Sequence, residues 1–438
     1  MKLLIIDHDG VGLSFAMRSA AAGHQVRWFV KPRPSNSKDI GKGFKNITKI
    51  DNWVPSASWA DLILCTSNDD YLEKLQFFSK KGCPVFGPTP ESAKLEISRK
   101  DGMQILEKAG IECVPYQTFP NMAAAEKHVL KTEERFVFKT LGDNEDKSLT
   151  YVSKSPADLV AWMRRTPPPK GEVMLQQFVK GIEMGVSRFM GSKGWVGQWN
   201  ESFEHKKLMP SNYGPNTGEM GTIAYFTEQS KLGRDTLGKL EEELLRRGHR
   251  GDVALGFMID ERGKPWPTEW TCRLGWPIAN MMLGATKGDP IEWMKDALNG
   301  KDTTTFSEDI GCCLVLAHGD FPHGNFTKKQ VSGVPVYGVT KGTAMHIHPQ
   351  SVQMMRLPDQ GPDGKGIIER DMWATAGDYV AVVTGYGSSV SQAAKRAYGT
   401  VEKLHVANPI VRDDVGEGLQ EQLPKLHALG YALHCHYR

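Results

Sequence analysis

The sequence predicts a multidomain protein of mixed α/β and α+β class, and three observations support this prediction. The chain has 438 residues, more than one hydrophobic core usually contains, so two to four domains are expected. Over the first hundred residues short apolar runs alternate with helical stretches, which predicts a parallel, Rossmann-like sheet. From about residue 311 several short strands and a helix near 391–404 indicate a smaller α+β domain.

The N-terminal unit begins as a strand, a glycine turn and a helix. Residues 3–6 are apolar, Gly10 and Gly12 follow, and residues 13–22 form a helical stretch closed by Gly23. The glycine pair leaves open a nicotinamide-dependent oxidoreductase. A third glycine is missing, however, and no acid follows the second strand at the spacing that a ribose requires, so we discount this cofactor.

The middle of the chain mixes strands and helices. A helix is expected over residues 92–108, followed by strands at 135–139 and 173–178. Residues 232–247 have the pattern of a charged amphipathic helix, and residues 255–259 and 267–270 predict a hairpin. The last residues, His434-Cys435-His436, contain metal-ligand types, but no second ligand pair at zinc spacing accompanies them, so a frayed tail is expected.

Composition excludes several classes of function. Hydrophobic residues make up 40% and charged residues 24%, as in ordinary globular proteins. A net charge of only +3 gives no case for nucleic acid or an anionic membrane as partner. No apolar run approaches a membrane span and the start is too short for a signal core, so a cytoplasmic location is expected. Seven cysteines in mostly apolar surroundings predict reduced, buried thiols.

Residues 214–221 are the most informative segment, because glycines, a proline and small polar residues occur together. Such a composition predicts a loop whose backbone amides can be directed at an anion or a carboxylate. An ordinary surface turn uses the same residues, and composition alone favours it. The order of the residues, Gly-Pro-Asn-Thr-Gly-Glu-Met-Gly, resembles the Gly-Pro-Asn-Thr-Gly-Gly-Met-Gly loop of the glycinamide ribonucleotide synthetases, also called phosphoribosylamine–glycine ligases. Glu219 is the one exception.

This resemblance implies an ATP-grasp protein with three parts. They are a Rossmann-like N-terminal domain over residues 1–103, a central ATP-grasp domain over 104–305 and a small C-terminal α+β domain over 306–438. Residues 86–96 and 383–387 also resemble the family, so the similarity covers nearly the whole chain. The implied cofactors are ATP and Mg²⁺ or Mn²⁺.

Two lysines and an arginine are candidate phosphate ligands. Lys139 ends an apolar strand and Lys147 lies in the polar segment that follows, where two ammonium groups can neutralise a nucleotide's phosphates. Most lysines are simply exposed, and that alternative stays open. The resemblance places both at the strand and loop lysines of ATP-grasp enzymes, and it places Arg99 at a nucleotide-contacting lysine.

Residues 176–183 resemble the ATP-grasp hinge. There the backbone near Gln177 and Val179 would contact adenine, and Glu183 would hold the ribose hydroxyls. Without the resemblance, a strand followed by a turn is the simpler interpretation.

The segment Glu269-Trp270-Thr271-Cys272-Arg273 is the candidate metal strand. Residues i and i+2 of a strand share one side, so Glu269 and Thr271 could share a metal while Arg273 reaches a phosphate. The segment resembles the family's Glu-Phe-Asn-Cys-Arg, with Thr271 in place of the asparagine. A chance acid on an exposed strand is the structural alternative. Residues 204–207, Glu-His-Lys-Lys, resemble the family's Asp-His-Lys.

The resemblance implies a ligase that joins glycine to phosphoribosylamine through an acyl phosphate and releases ADP and phosphate. The catalytic candidates are Arg273, Lys147 and the segment Asn216, Thr217 and Gly218. The expected partners are small molecules, an amino acid and an amine, without nucleic acid or membrane, and the expected state is a monomer or homodimer. Residues 9–14 and 66–69 replace two family motifs, so the alternatives are a ligase that uses another amine and a non-catalytic nucleotide-binding relative.

Overall fold

The computed structural model describes residues 1–8, 10–31, 38–68, 71–141, 149–361 and 364–438. The predicted phosphate ligand Lys147, with the rest of residues 142–148, lies outside the described residues. Asp9 and Asp69, which belong to the two replaced N-terminal motifs, lie outside them as well.

The N-terminal part contains the predicted parallel sheet, in the order β3-β2-β1-β4-β5. All of its pairings are parallel, so the Rossmann-like arrangement is confirmed. The strands are β1 (Lys2–Asp7), β2 (Gln25–Val30), β3 (Thr48–Lys49), β4 (Leu62–Cys65) and β5 (Val85–Phe86), and the helices that follow them are α1 (Gly12–Ala21), α2 (Leu72–Lys80), α3 (Pro90–Ile97) and α4 (Arg99–Lys108).

The Gly10/Gly12 pair has structural reasons to be glycine. Gly10 has φ +91°, and a Cβ on Gly12 would stand 2.7 Å from Ile5 Cγ2, so α1 packs directly on β1. The Asp7 carboxylate is buried there and accepts hydrogen bonds from Gly12 N (2.8 Å) and Trp28 Nε1 (3.0 Å). This short strand-to-helix connection explains the glycines without a dinucleotide.

A small antiparallel sheet comes next, in the order β6-β9-β7-β8, with two helices packed on it. Its core contains Phe138, Leu159 and Val173, each fully buried. The elements are β6 (Tyr116–Phe119), α5 (Met122–Val129), β7 (Phe136–Thr140), β8 (Tyr151–Val152), α6 (Pro156–Arg165) and β9 (Val173–Gln177).

A nine-stranded sheet forms the centre of the molecule, in the order β14-β13-β10-β11-β12-β15-β20-β17, with β21 paired to β15. Its first part consists of β10 (Gly181–Met190), β11 (Trp195–Met209), β12 (Tyr213–Thr227), β13 (Gly251–Asp260) and β14 (Pro265–Thr271), with α7 (Lys231–Asp235), α8 (Glu241–Arg246), α9 (Ile278–Ala285) and α10 (Pro290–Leu298) beside it. The predicted hairpin is confirmed as β13 and β14.

The C-terminal third extends the same sheet and adds a three-stranded one, in the order β16-β19-β18. Because β15 pairs with β12, the central sheet continues across the boundary that we place at residues 305 and 306. The elements are β15 (Ile310–His318), α11 (Lys328–Val331), β16 (Ser332–Pro335), β17 (Ile347–Pro349), β18 (Val352–Gln360), β19 (Ile367–Ala376), β20 (Tyr379–Gly387), α12 (Val390–Val401), β21 (Pro409–Ile410) and α13 (Leu419–Ala428).

Two predicted helices are broken. The helix expected over 92–108 is two helices, because Ser98 leaves helical geometry and caps α4 by accepting a hydrogen bond from Asp101 N. The helix expected over 232–247 is α7, a 3₁₀ turn and α8. There Thr236 bonds back to Leu232 O, and Gly233 lies against the ring of Trp199.

The C-terminal tail packs onto the protein, so the expectation of a frayed tail is wrong. Cys435 is fully buried, and His436 O accepts a hydrogen bond from Val390 N (2.9 Å). The prediction of buried thiols is confirmed for six of the seven cysteines, while Cys83 is half-buried.

Candidate functional site

Three glutamates on one face of the central sheet converge on a single lysine. Lys206 Nζ lies 3.2 Å from Glu183 Oε1 and 3.3 Å from Glu204 Oε2, and it also pairs with Glu269 Oε1. The four residues come from β10, β11 and β14, so strands far apart in sequence assemble the group. We call Lys206, Glu183, Glu204 and Glu269 the Lys206 cluster.

The electrostatics of the Lys206 cluster favour a cation at its centre. Burial by itself would lower the pKa of Lys206, but Glu269, Glu204 and Glu183 together raise it well above the ordinary value. Burial raises the pKa of Glu204, and the neighbouring Glu269 and Glu183 add to that rise while Lys206 opposes it. Three carboxylates therefore share one ammonium group, and the position attracts further positive charge.

The two predicted metal ligands share a face of β14, as the strand periodicity predicts. Glu269 pairs with Gly256 and Thr271 with Ala254, without a shift of register between them. Glu269 is 45% exposed and contacts Lys206, so its carboxylate is accessible and already directed at a cation. Among the described residues, no group of three or more His, Cys, Asp or Glu side chains forms a metal site by itself.

Arg273 is held by a buried acid on another element. The strand ends at Thr271, and Arg273 lies beyond it, with its Nε 3.3 Å from Glu96 Oε1 on α3. The other oxygen of Glu96 accepts a hydrogen bond from Cys272 N (2.7 Å). Glu96 therefore fixes both the backbone and the side chain at the end of the candidate metal strand. In the sequence Glu96 is only an acid within a predicted helical stretch, so this role could not be predicted.

Arg99 and Lys139 lie beside the small antiparallel sheet. Arg99, the first residue of α4, donates to Thr140 O (2.6 Å) and Thr150 Oγ1 (3.2 Å). Those two partners flank residues 142–148, so Arg99 ties α4 to both sides of the segment that includes Lys147. Lys139 is half-buried on β7, opposite Met174 of β9. The structure therefore brings Arg99 close to the β7 end that carries Lys139.

The predicted hinge connects the two sheets. β9 ends at Gln177 and β10 begins at Gly181, with Val179 half-buried between them. The Gln177 side chain donates to the exposed Glu134 (3.3 Å) and not toward the Lys206 cluster. Glu183 is the hinge candidate that joins the cluster.

Residues 214–221 do not form the predicted loop. They belong to β12, which pairs with β11 as a long hairpin, with Asn216 opposite Lys207 and Gly221 opposite His205. The register shifts between these pairs, so the hairpin bulges at this point, and Gly214 has φ +79°. Pairing with β11 overrides the turn composition. Thr217 Oγ1 donates to Lys206 O (2.9 Å), which joins the segment to the Lys206 cluster, while Asn216 and Gly218 are exposed.

Two buried acids near this face were not predicted as site residues. Glu219 is 4% exposed, and its nearest charged groups include Glu204 and Lys206. Asp252 on β13 is 3% exposed and accepts a hydrogen bond from Gly275 N (3.3 Å), and burial raises its pKa to about 7. Glu219 had a signal, because it departs from the glycine motif. Asp252 had none, since an acid after a glycine is typical of a turn.

The part of the chain that carries this site is similar to the ATP-grasp domains. Residues 98–277 match the family described as "Phosphoribosylglycinamide synthetase, ATP-grasp (A) domain". The phosphoribosylamine–glycine ligase of Clostridium acetobutylicum is 24% identical over 95% of this chain and 100% of the relative, and that of Escherichia coli O6:H1 is 24% identical over 95% and 98%. The resemblance inferred from the sequence is confirmed, and the chain is a divergent relative of these ligases.

Solved structures support the same fold. The phosphoribosylamine–glycine ligase of Thermotoga maritima superposes with a TM-score of 0.67 at 20% identity, over 95% of this chain and 100% of that one. The biotin carboxylase of Campylobacter jejuni gives 0.63 at 12% identity, over 98% and 97%. The predicted fold class is therefore confirmed. In the part of the chain that the structure describes, no helix is long and apolar enough to cross a membrane.

Proposed function

We propose that the protein is an ATP-dependent carboxylate–amine ligase that joins glycine to phosphoribosylamine and releases ADP and phosphate. The observation that supports it most is the convergence of Glu183, Glu204 and Glu269 on one cation position, inside the region that matches the ATP-grasp domain. All members of the Lys206 cluster and Arg273 lie within residues 98–277.

The chemistry needs charge stabilisation rather than a protein nucleophile. A carboxylate resists attack by an amine because hydroxide is a poor leaving group. Transfer of the ATP γ-phosphoryl group to the carboxylate gives an acyl phosphate, and the amine then displaces phosphate. The protein must hold the reactants in line and neutralise the phosphoryl oxygens as charge moves. Arg273, held by Glu96, and Lys147 supply positive charge for that step.

The nucleotide would lie between the two sheets. Arg99 and Lys139 would contact its phosphates, the backbone at Gln177 and Val179 its adenine, and Glu183 its ribose hydroxyls. Asn216, Thr217 and Gly218 on the hairpin would position the carboxylate substrate, because Asn216 and Gly218 are exposed and the Thr217 hydrogen bond to Lys206 O joins the segment to the Lys206 cluster.

Magnesium or manganese fits the residues present. Mg²⁺ in such sites is usually held by one or two carboxylates together with substrate phosphates, so a complete protein cage is not required. Glu269 would hold the ion with the hydroxyl of Thr271 beside it, and Lys206 would then release Glu269 and keep Glu183 and Glu204. A bound ion would supply Lewis-acid stabilisation of the phosphoryl oxygens.

The acceptor amine is the least constrained part of the proposal. In the N-terminal domain the Asp7 carboxylate accepts hydrogen bonds from Gly12 N, Thr66 Oγ1 and Trp28 Nε1. The described parts of the two replaced motifs, residues 10–14 and 66–68, follow β1 and β4, so a ligase that uses another amine is the second candidate. Either candidate reaction is compatible with a monomer or a homodimer.

ADP release with Mg-ATP, glycine and phosphoribosylamine tests the proposal, with panels of amino acids and amines in parallel. Glu269→Gln should lower turnover by about 100-fold or more, because the carboxylate that would hold the metal ion is lost, and with it the ion's stabilisation of the phosphoryl charge. Glu261→Gln is the matched control, since Glu261 lies at the far end of the same β13–β14 hairpin and pairs with the exposed Lys180. Turnover with glycine but another amine would favour the second candidate. Tight nucleotide binding without turnover in any panel would indicate a non-catalytic relative.

A further inference from the structure

Glu219 is a buried carboxyl group with an unsatisfied oxygen in the described part of the chain. It is 4% exposed, and its Oε1 atom has no hydrogen-bond partner among the described residues. An unpaired carboxylate is costly to bury, and native structures usually satisfy such groups. The residue also stands at the one position where the glycine segment departs from the motif it resembles, so this chain has a side chain where the motif has a glycine.

The surroundings of Glu219 place it on the site face of the central sheet. The charged groups that shift its pKa are, from the largest effect to the smallest, Glu204, Lys206, Glu183 and Glu269. Glu219 also raises the pKa of Tyr379 on β20, whose hydroxyl accepts a hydrogen bond from Trp276 Nε1. Glu219 therefore lies near both the Lys206 cluster and the Tyr379–Trp276 pair.

The polar groups around Glu219 include further unsatisfied donors and acceptors. Thr222 Oγ1, also on β12, is buried without a hydrogen-bond partner in the described chain. Cys313 lies opposite Thr222 on β15, and Glu219 raises the pKa of its thiol. Four carboxylates face a single ammonium group here, so the local charge is complementary to a cation.

We propose that Glu219 binds the primary ammonium group of a substrate, either that of the amino acid or that of the acceptor amine. The inference rests on the proposed ligase function and names a determinant of its specificity. A second ammonium group beside Glu219 would satisfy Oε1 with a charge-assisted hydrogen bond and offset the excess of carboxylates.

Binding should be coupled to proton release. Burial, together with Glu204, Glu183 and Glu269, raises the pKa of Glu219 well above its ordinary value, while Lys206 opposes the rise. Without ligand the raised pKa favours the protonated carboxyl group. The facing Cys313 and Tyr379 have raised pKa values and stay neutral. An ammonium ligand stabilises the carboxylate, so ligand binding should release a proton from Glu219 to the solvent.

Isothermal titration calorimetry at neutral pH, in two buffers of different ionisation enthalpy, tests this coupling. The probes are glycine, methylamine, and acetate, which lacks the amino group of glycine. Wild type should release about one proton per glycine or methylamine bound. Glu219→Gln should abolish the release and weaken binding by about 10- to 100-fold, while acetate should be unaffected. If glycine binds and methylamine does not, the ammonium group that Glu219 binds is that of the amino acid. If glycine and methylamine both bind, Glu219 forms a general ammonium site that also takes the acceptor amine.

Glu201→Gln serves as the control, because Glu201 is buried on the same strand pair but has hydrogen-bond partners. It should leave the proton release intact. If Glu219→Gln does not fold, as judged by circular dichroism, Glu219→Gly provides the same comparison. Unchanged affinity and proton release in either folded Glu219 variant would overturn the inference. The titration needs no ATP, so a protein without ligase turnover could still bind ammonium here, and an active ligase could still fail this test.

Discussion

Two buried glutamates on the central sheet illustrate the difference between a structural acid and a site acid. Glu201 on β11 accepts hydrogen bonds from Ser230 Oγ (2.6 Å) and Tyr225 OH, and its side chain points away from the face that carries Glu204. Glu219 lies near Glu204 and has an unsatisfied oxygen. Burial raises the pKa of both.

Burial and a shifted pKa therefore do not distinguish the two glutamates; the number of hydrogen-bond partners does. A carboxyl group whose oxygens both find hydroxyl donors stabilises the fold at that place. One that faces other acids with an empty acceptor is costly unless a ligand compensates. The two faces of the sheet should accordingly respond to mutation in different ways, the site face through activity and the opposite face through stability.

The largest effect should come from the site face at Arg273. Arg273→Ala should lower turnover by about 100- to 1,000-fold, because a cation aimed at developing phosphoryl charge is lost. Steady-state ADP release measures it. Arg262→Ala, an exposed residue in the turn of the same hairpin, is the matched control and should keep wild-type turnover. Normal turnover in Arg273→Ala would place the catalytic charge elsewhere.

Glu96 should act through Arg273. Glu96→Gln keeps the size of the side chain but weakens its hold on Arg273 and on Cys272 N. Turnover should fall by about tenfold, less than on removal of Arg273, because the cation is present but less well oriented. A double variant that is no worse than Arg273→Ala alone would confirm that Glu96 works through the arginine; additive losses would contradict it.

Much of the fold could be predicted from the local periodicity of the sequence. The rest depends on pairing between segments that are far apart in the chain. The parallel N-terminal sheet and the β13–β14 hairpin follow from apolar runs and turn residues that are close in sequence. The composition of the glycine segment predicts a loop, because its pairing with β11 is not visible in composition. The periodic pattern over residues 92–108 predicts a single helix, because the cap at Ser98 depends on geometry that such a pattern does not show.

The same limit applies to the site. Glu183 and Glu269 could be selected from the resemblance and from strand alternation, since both properties belong to single segments. Their meeting at Lys206 could not, because it requires the register of β10, β11 and β14 together. Glu96 and Glu219 acquire their roles only through tertiary packing. Roles at Lys139, Arg99, Gln177 and Val179 stay predictions.

On the opposite face, Glu201→Gln should reduce the free energy of unfolding by about 1–3 kcal/mol. The amide leaves one of the two hydroxyl donors, Ser230 or Tyr225, without its acceptor in a buried position. Urea denaturation measures the loss, and turnover should stay at the wild-type value. A drop in turnover without a loss of stability would contradict the assignment of this acid to the fold.

The smallest effect, and the most diagnostic, is the pH dependence of stability at Glu219. Its pKa in the folded protein is raised above the ordinary 4.5, so between that value and the folded pKa the native state binds more protons than the unfolded state. Wild-type stability therefore falls as pH rises, by at most about 1.4 kcal/mol per pH unit from this group. Glu219→Gln lacks this term and should gain stability over wild type as pH increases above 5, with little difference below it. Urea unfolding across pH 5 to 9 measures the difference. A Glu219→Gln variant that parallels wild type across this range would mean that Glu219 is already compensated without a ligand.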